Sequence, residues 1–127
     1  MSGLMIGDIA VQRIIEEEVP FFIPHETFVE ATPEALAPHR HWLEPNAMDP
    51  ETGMLILPFQ SYLVRTKHHT ILIDTCIGCG KSITHRPQWF QRTDQTWLNN
   101  LRAAGLQPEA IDYVFCTHLH VDHVGWN

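Results

Sequence analysis

The sequence predicts an α/β fold, and three features of its second half carry that prediction. Short segments rich in Leu, Ile and Val run from Met54 to Asp74, as they do in a β-meander. Gln91–Gly105 has apolar residues at helical spacing, and Ile111–Thr117 has the composition of a buried strand. Strands, a helix and a further strand in this order are typical of α/β organisation.

Composition limits the classes of function. The chain has 127 residues, 44% of them hydrophobic, which is the size and character of one folded domain. Its net charge is -7, with 15 acidic residues against 8 basic ones, which argues against binding to nucleic-acid phosphates. Apolar runs fall far short of the roughly 20 residues that cross a bilayer, and no secretory signal is visible. We therefore expect no nucleic-acid partner, no membrane partner and a reducing, cytoplasmic location.

The first part of the chain is the less regular one. Gly7–Ile15 alternates loosely between apolar and polar residues and is predicted to be an opening strand. Glu16–Glu18 is an acidic run, predicted to be a solvated surface. The segment of about residues 20–50 is rich in Pro, His and Glu and is predicted to be a long loop with one helical turn around Pro33–Leu36. Long irregular segments of this kind often serve as lids or binding loops.

The second part, about residues 54–127, is predicted to be the β/α core. Three strands are expected at Met54–Phe59, Ser61–Thr66 and Thr70–Asp74, with a tight hairpin between the last two. The helix that follows is expected to stop at Gly105, because glycine is the residue that most often ends a helix.

A dense group of potential metal ligands follows the last predicted strand, in CTHLHVDHVGWN at the end of the sequence. His118 and His120 are two residues apart, so in extended backbone both imidazoles can reach one point. Asp122 and His123 can hold a second ion, and the two ions of hydrolytic sites lie about 3.5–4 Å apart. Imidazole and carboxylate ligands suit zinc, with iron and manganese as alternatives. The competing interpretation is a histidine-rich surface turn.

The motif THLHVDHVG resembles the His-x-His-x-Asp-His signature of the metallo-β-lactamase superfamily. The preceding segments ILIDT and GLQPEAIDYV are also similar to that family, so the resemblance extends from about Met54 to the end. It implies an αββα sandwich, of which residues 1–127 would be the N-terminal half, a single incomplete domain.

The resemblance also implies roles for individual residues. His118 and His120 would bind the first metal, and Asp122 and His123 the second. Asp122 would in addition be catalytic, because it would lie near the metal-bound water. Asp74 would hydrogen-bond behind the ligands and hold their loop in place, as carboxylates behind metal ligands commonly do. Without the family, Asp74 is equally well explained as a turn residue at the end of a strand.

The function implied by the resemblance is hydrolysis of an ester, lactone or related bond in a small-molecule substrate, by hydroxide that two zinc ions activate. The family's site needs three further ligands from its second half, and four residues follow His123 here. A catalytic zinc normally has three protein ligands and a water. The sequence therefore predicts an N-terminal fragment that is inactive alone and needs the C-terminal half or another chain to complete its site.

Two other classes of function stay open. One is an iron-dependent oxidoreductase on the same fold, and the other is a non-enzymatic, truncated domain that pairs with a second copy. Two smaller features also allow two interpretations each. Cys76 and Cys79 form a C-x-x-C motif that is either a redox or metal-binding pair or two incidental thiols. Trp126 either lines the cleft or packs in the core.

Overall fold

The computed structural model of this chain describes residues 3–127, which form one mixed sheet and several short helices. The elements are β1 (Leu4–Ile6), β2 (Ile9–Phe22), α1 (Pro24–Thr27), α2 (Pro33–Leu36), α3 (Arg40–Leu43), β3 (Leu55–Arg65), β4 (Thr70–Ile73), α4 (Thr96–Ala103) and β5 (Tyr113–Phe115). The five strands lie side by side in chain order. Strands β1 and β2 are antiparallel, as are β3 and β4, whereas β5 runs parallel to β4. The α/β prediction is confirmed.

The hairpin between β3 and β4 is present as predicted, with Arg65 opposite Thr70. The two strands predicted at Met54–Phe59 and Ser61–Thr66 are instead one strand, β3. Burial alternates without a break, since Phe59, Ser61 and Leu63 are all buried. Gln60 is therefore part of the strand, because the two-residue alternation of buried side chains continues on both sides of it.

The beginning of the chain differs more from its prediction. The single strand expected at Gly7–Ile15 is a hairpin of β1 and β2, and β2 continues to Phe22. The acidic run Glu16–Glu18 therefore lies within a strand, and Glu16 is only 4% exposed. The prediction that this run is a solvated surface is wrong for Glu16. The reason is again the two-residue period, because Ile14 is fully buried and Glu16 shares its face of the strand.

Helix α4 is shorter than predicted and ends where expected. The sequence predicted a helix over Gln91–Gly105, but α4 begins at Thr96, whose N–H is accepted by the Asp94 carboxylate at 2.6 Å. Gly105 follows the helix with a φ of 81°, the left-handed conformation typical of a residue that stops a helix. The inward face of α4 carries Trp97 and Leu101, which are both buried.

Strand β5 corrects another prediction. The segment Ile111–Thr117 was predicted to be a buried strand, but β5 spans Tyr113–Phe115 and all three of its residues are exposed. It lies at the edge of the sheet, where β4 is its neighbour on one side. The apolar composition was therefore a sound guide to strand formation and a wrong guide to burial.

The chain forms two compact units. The first contains the described residues through Glu17 together with Phe59–Asn127, and the second is Glu18–Pro58. The first unit holds the hydrophobic core, which is formed by buried side chains of three strands, the loop after β4 and helix α4: Ile14, Leu63, Leu72, Cys76, Trp97 and Leu101.

The second unit contains the whole segment that was predicted to be a long loop, and three short α-helices interrupt that segment. The helical turn predicted around Pro33–Leu36 is present as α2. The Thr32 side chain accepts the N–H of Ala35 at 3.2 Å and so caps this helix. Nowhere in residues 3–127 is a helix both long and apolar enough to cross a bilayer.

Candidate metal centre

The ligand-bearing segment, residues 117–126, follows β5 and is called the ligand turn below. It packs against residues 74–78, the Asp74 loop, which follows β4. Three backbone hydrogen bonds join them: Thr75 N–H to the His123 carbonyl at 2.9 Å, Gly125 N–H to the Cys76 carbonyl at 2.8 Å, and Trp126 N–H to the Thr75 carbonyl at 3.0 Å. These bonds fix the register between the two segments.

Two glycines allow the segments to come this close. A Cβ atom on Gly125 would lie 2.0 Å from the carbonyl carbon and oxygen of Ile77, and one on Gly78 would lie 2.2 Å from the Gly125 carbonyl oxygen. The atoms met are backbone atoms, which cannot move aside as the tip of a side chain can. The contact therefore requires glycine at both positions.

Asp74 lies where the two segments meet and links both. Its carboxylate accepts the backbone N–H of Thr117 at 2.7 Å, the Thr117 hydroxyl at 2.8 Å and Nδ1–H of His123 at 2.8 Å. Burial raises the pKa of Asp74, but the hydrogen bonds from Thr117 and His123 outweigh it and hold that pKa below its usual value. Because an ionised carboxylate only accepts, Nδ1 of His123 carries the hydrogen and Nε2 is left as an acceptor.

The orientation of His118 follows from the same network. The Thr117 hydroxyl donates to Asp74, so it accepts from Nδ1–H of His118, 3.1 Å away. Nε2 of His118 is then an acceptor and lies 3.1 Å from Nδ1 of His120. In both His118 and His123, Nδ1 is bound within the network around Asp74, and Nε2 is the acceptor nitrogen.

The structure brings the predicted ligands together as two pairs. His118 and His120 are exposed, whereas Asp122 and His123 are half-buried. Nε2 of His123 lies 3.5 Å from a carboxylate oxygen of Asp122, and the ring centroids of His118 and His123 lie 3.9 Å apart. Within residues 3–127, no three His, Cys, Asp or Glu side chains converge closely enough to hold a metal ion by themselves.

Glu16 is a residue of this region that the sequence analysis missed. Its buried carboxylate accepts three hydrogen bonds: from Ile77 N–H at 2.7 Å, from Gly78 N–H at 3.2 Å and from Nε1–H of Trp126 at 2.8 Å. Burial raises the pKa of Glu16, and these bonds offset that effect only in part. The signal that could have revealed it is its position two residues after Ile14 in an alternating strand.

Contacts in the structure decide between the two interpretations of Trp126 and of the Cys76 and Cys79 pair. Trp126 stacks on Trp97 with ring centroids 5.3 Å apart and planes 14° from parallel, so it packs against the core. Cys76 is fully buried, and burial raises the pKa of its thiol to about 12. Cys79 is a free thiol that donates to the Asp94 carbonyl. Reactive cysteines have lowered pKa values and are accessible, which favours two incidental thiols over a redox pair.

Comparisons with known proteins give consistent matches. The sequence model of the metallo-beta-lactamase superfamily matches residues 58–127. N-acyl homoserine lactonase of Bacillus cereus is 31% identical over 87 residues, which are 59% of this chain and 34% of the lactonase. The corresponding lactonase of Bacillus thuringiensis is 30% identical over 86 residues, with 58% and 34% covered. The chain thus spans about a third of the length of these curated relatives.

Solved structures match over almost the whole chain. A probable metal-dependent hydrolase from Staphylococcus aureus has a TM-score of 0.66 at 24% identity, covering 94% of this chain and 41% of that protein. AidC, a dizinc quorum-quenching lactonase in complex with the product N-hexnoyl-L-homoserine, has a TM-score of 0.64 at 21% identity, covering 96% and 37%. At these identities the likeness is one of fold.

Proposed function

Since this chain belongs to the metallo-β-lactamase superfamily, whose model matches more than half of it, we propose that the full-length protein is a hydrolase. We propose further that it uses zinc-activated water to open a lactone or a related ester bond. The observation that carries this proposal is the pairing of ligand atoms in the ligand turn: Nε2 of His118 lies beside Nδ1 of His120, and Nε2 of His123 lies beside the Asp122 carboxylate.

The first pair fits a shared zinc ion. Two nitrogens that each lie about 2.0–2.1 Å from a tetrahedral zinc are about 3.3 Å apart. Nε2 of His118 and Nδ1 of His120 are 3.1 Å apart, so a small change would bring both within bonding distance of one ion. We therefore propose His118 and His120 as ligands of the first metal.

The second pair fits in the same way. Nε2 of His123 and the nearer Asp122 oxygen are 3.5 Å apart, also close to the ligand spacing around one tetrahedral ion. A histidine that binds metal almost always donates its other N–H to a carboxylate or carbonyl, and His123 donates its Nδ1–H to Asp74. We propose Asp122 and His123 as ligands of a second ion, and Asp74 as the residue that orients His123.

Each pair supplies two of the three protein ligands that a catalytic zinc normally has. We propose that the others come from a segment beyond Asn127, or from another chain. The length of the lactonase relatives, of which this chain covers 34%, supports the first source. On this proposal residues 1–127 alone are inactive.

Zinc bound here would lower the pKa of its water to near 7 and polarise the carbonyl of the substrate. The protein's own part in the reaction is to move a proton. Asp74 and Asp122 are the two carboxylates in contact with His123. Asp74 is already bound by Thr117 and His123, so we propose Asp122 as the catalytic residue that accepts the proton of the attacking water. The lactonase relatives favour a small lactone as substrate.

The test uses the purified full-length protein with an N-acyl homoserine lactone and an aryl ester. We expect about two zinc ions per chain and hydrolysis that a chelator abolishes and zinc restores. In His118→Ala/His120→Ala we expect about one zinc ion per chain and loss of hydrolysis. Glu34→Gln, on the exposed face of α2, is the control that should retain both zinc ions and hydrolysis. Hydrolysis that survives complete metal removal would refute the proposal. Bound iron with oxygen consumption would support the oxidoreductase instead.

A further inference from the structure

We propose that Glu16 is a positioning residue of the metal centre: it holds the Asp74 loop and the ligand turn against each other and so sets where Asp122 and His123 present their ligand atoms. The inference rests on the function proposed above, and it concerns a strand far from the signature motif in the sequence.

The contacts of Glu16 reach both segments. One carboxylate oxygen accepts Ile77 N–H, and the other accepts both Gly78 N–H, in the Asp74 loop, and Nε1–H of Trp126, in the ligand turn. Hydrogen bonds to an ionised acceptor are shorter and stronger than those between neutral groups. A single side chain of β2 therefore joins the two segments at the end opposite to Asp74.

These contacts lie next to the bonds that carry the ligands. Thr75, two residues before Ile77, donates its N–H and its hydroxyl to the His123 carbonyl at 2.9 and 3.2 Å. Gly78 meets Gly125 with no room for a Cβ atom. If the loop moved away from the turn, the His123 carbonyl would lose its donor Thr75 and the His123 ring would lose its partner Asp74. The position of the His123 ring thus depends on the closure that Glu16 provides.

A purely structural role is the weaker explanation of this carboxylate. Burying a carboxylate is costly, and an apolar side chain would fill the same space beside the apolar core cluster. What an apolar side chain cannot do is accept three hydrogen bonds from two separate segments. The geometry of those donors, rather than the filling of space, accounts for a glutamate at this position.

The experiment measures zinc affinity and the cobalt absorption spectrum of the full-length protein at a temperature at which every variant is folded. Glu16→Gln retains the shape but places an N–H₂ group against one backbone N–H. We expect zinc to bind about tenfold more weakly, the lower end of the effect of residues that support metal ligands, and the visible bands of cobalt to shift. Glu17→Gln is the matched control, because Glu17 is the next residue of the same strand and is ion-paired with Arg92 at 2.5 Å. It should lose stability without losing metal affinity.

Trp126→Phe is the second variant, and it decides the question if Glu16→Gln does not fold. It keeps an aromatic ring against Trp97 and removes one of the three donors, so we expect a smaller loss of zinc affinity, about threefold. Wild-type affinity and an unchanged cobalt spectrum in every folded variant would overturn the role of Glu16 and leave the proposed function standing. A wild-type protein that binds no zinc would overturn the proposed function, and this inference with it.

Discussion

The two ligand pairs are held very differently by the protein. His118 and His120 are exposed, and their hydrogen bonds are one to the Thr117 hydroxyl and one to each other. Asp122 and His123 are half-buried, and His123 is fixed at both its ring, by Asp74, and its carbonyl, by Thr75. The second pair therefore contains a ligand, His123, that the fold holds in place, whereas the first pair is two neighbouring side chains on an exposed turn.

The two pairs illustrate two kinds of proposed metal ligand, one preorganised by the fold and one loosely held. A preorganised ligand loses little conformational entropy when the metal binds. A mutation in a residue that holds this ligand, however, weakens both folding and metal binding. A loosely held ligand can be removed without harm to the fold, and it affects only the metal. The predictions below use that distinction.

The largest effect is expected at the glycine contact, on which the second pair depends. Gly125→Ala would place a Cβ atom 2.0 Å from the Ile77 carbonyl, which only movement of the backbone can relieve. We expect a loss of about 4 kcal/mol or more in the free energy of unfolding, measured by denaturant titration. Gly80→Ala is the control: Gly80 has a positive φ of +64°, which Gly125 does not, and it has open space around it. It should lose only about 1–2 kcal/mol; an equal loss in both variants would refute the role of the close contact.

Asp74→Asn tests the carboxylate that orients His123. Asparagine keeps the size of Asp74 and tolerates its φ of 59°. Its amide would donate where the carboxylate accepts, so Nδ1 of His123 would lose its hydrogen and Nε2 would carry it, blocking the metal. We expect zinc to bind the second pair about 10–100-fold more weakly, measured by competition with a chromophoric chelator. Asp49→Asn, at a turn where the carboxylate accepts two bonds from Thr52, is the control that should leave zinc affinity unchanged. Unaltered affinity in Asp74→Asn would contradict the preorganisation of His123.

A smaller effect is expected on the stability of the metal-free protein, where His123→Ala and His118→Ala should differ. His123→Ala leaves the largely buried Asp74 carboxylate short of one donor, which should lower the free energy of unfolding by about 1–3 kcal/mol. His118→Ala removes an exposed ring and should change it by about 0.5 kcal/mol or less. Thermal unfolding of the metal-free proteins measures both. If His118→Ala proved the more destabilising, the comparison of the two pairs would be wrong.

The smallest effect is the pH dependence that the carboxylates behind the second pair should cause. The pKa of Asp74 is lowered in the folded state, so its stabilising contribution is present above the ordinary value of 3.8 and is lost as the pH falls through the lowered value. The pKa of Glu16 is raised, which gives the opposite sign: stability declines as the pH rises from about 4.5 towards the raised value. In Asp74→Asn, free energies of unfolding measured from pH 2 to 7 should lose part of the slope below pH 3.8; Asp49 and Asp94, whose pKa values are also lowered, keep the rest. A slope below pH 3.8 that this variant retains in full would contradict the assignment.

The sequence was a good guide where the determining interactions are local. The β3–β4 hairpin and the helix stop at Gly105 depend on residues close together in the chain, and both are present. Nitrogens of His118 and His120 do lie 3.1 Å apart, but in a segment of bends and not in the extended backbone from which their proximity was predicted. The hairpin and the helix stop follow from backbone geometry over a few residues.

The sequence was a poor guide where residues far apart in the chain determine burial and packing. Burial of Glu16 depends on donors from Ile77 and Trp126, which are more than 60 residues away in the chain. The exposure of β5 depends on what lies beside it in the sheet, which its apolar composition cannot reveal. The bulk of Trp126 suggested either a cleft or a core position, and only its stacking on Trp97 distinguishes the two.

The most direct test of the central claim is the location of zinc in crystals of the full-length protein, by anomalous scattering at the zinc edge. We predict one ion about 2.0–2.1 Å from Nε2 of His118 and Nδ1 of His120, and a second at Nε2 of His123 and the carboxylate of Asp122. Zinc bound elsewhere, with His118 and His120 still in contact with each other rather than with an ion, would contradict it.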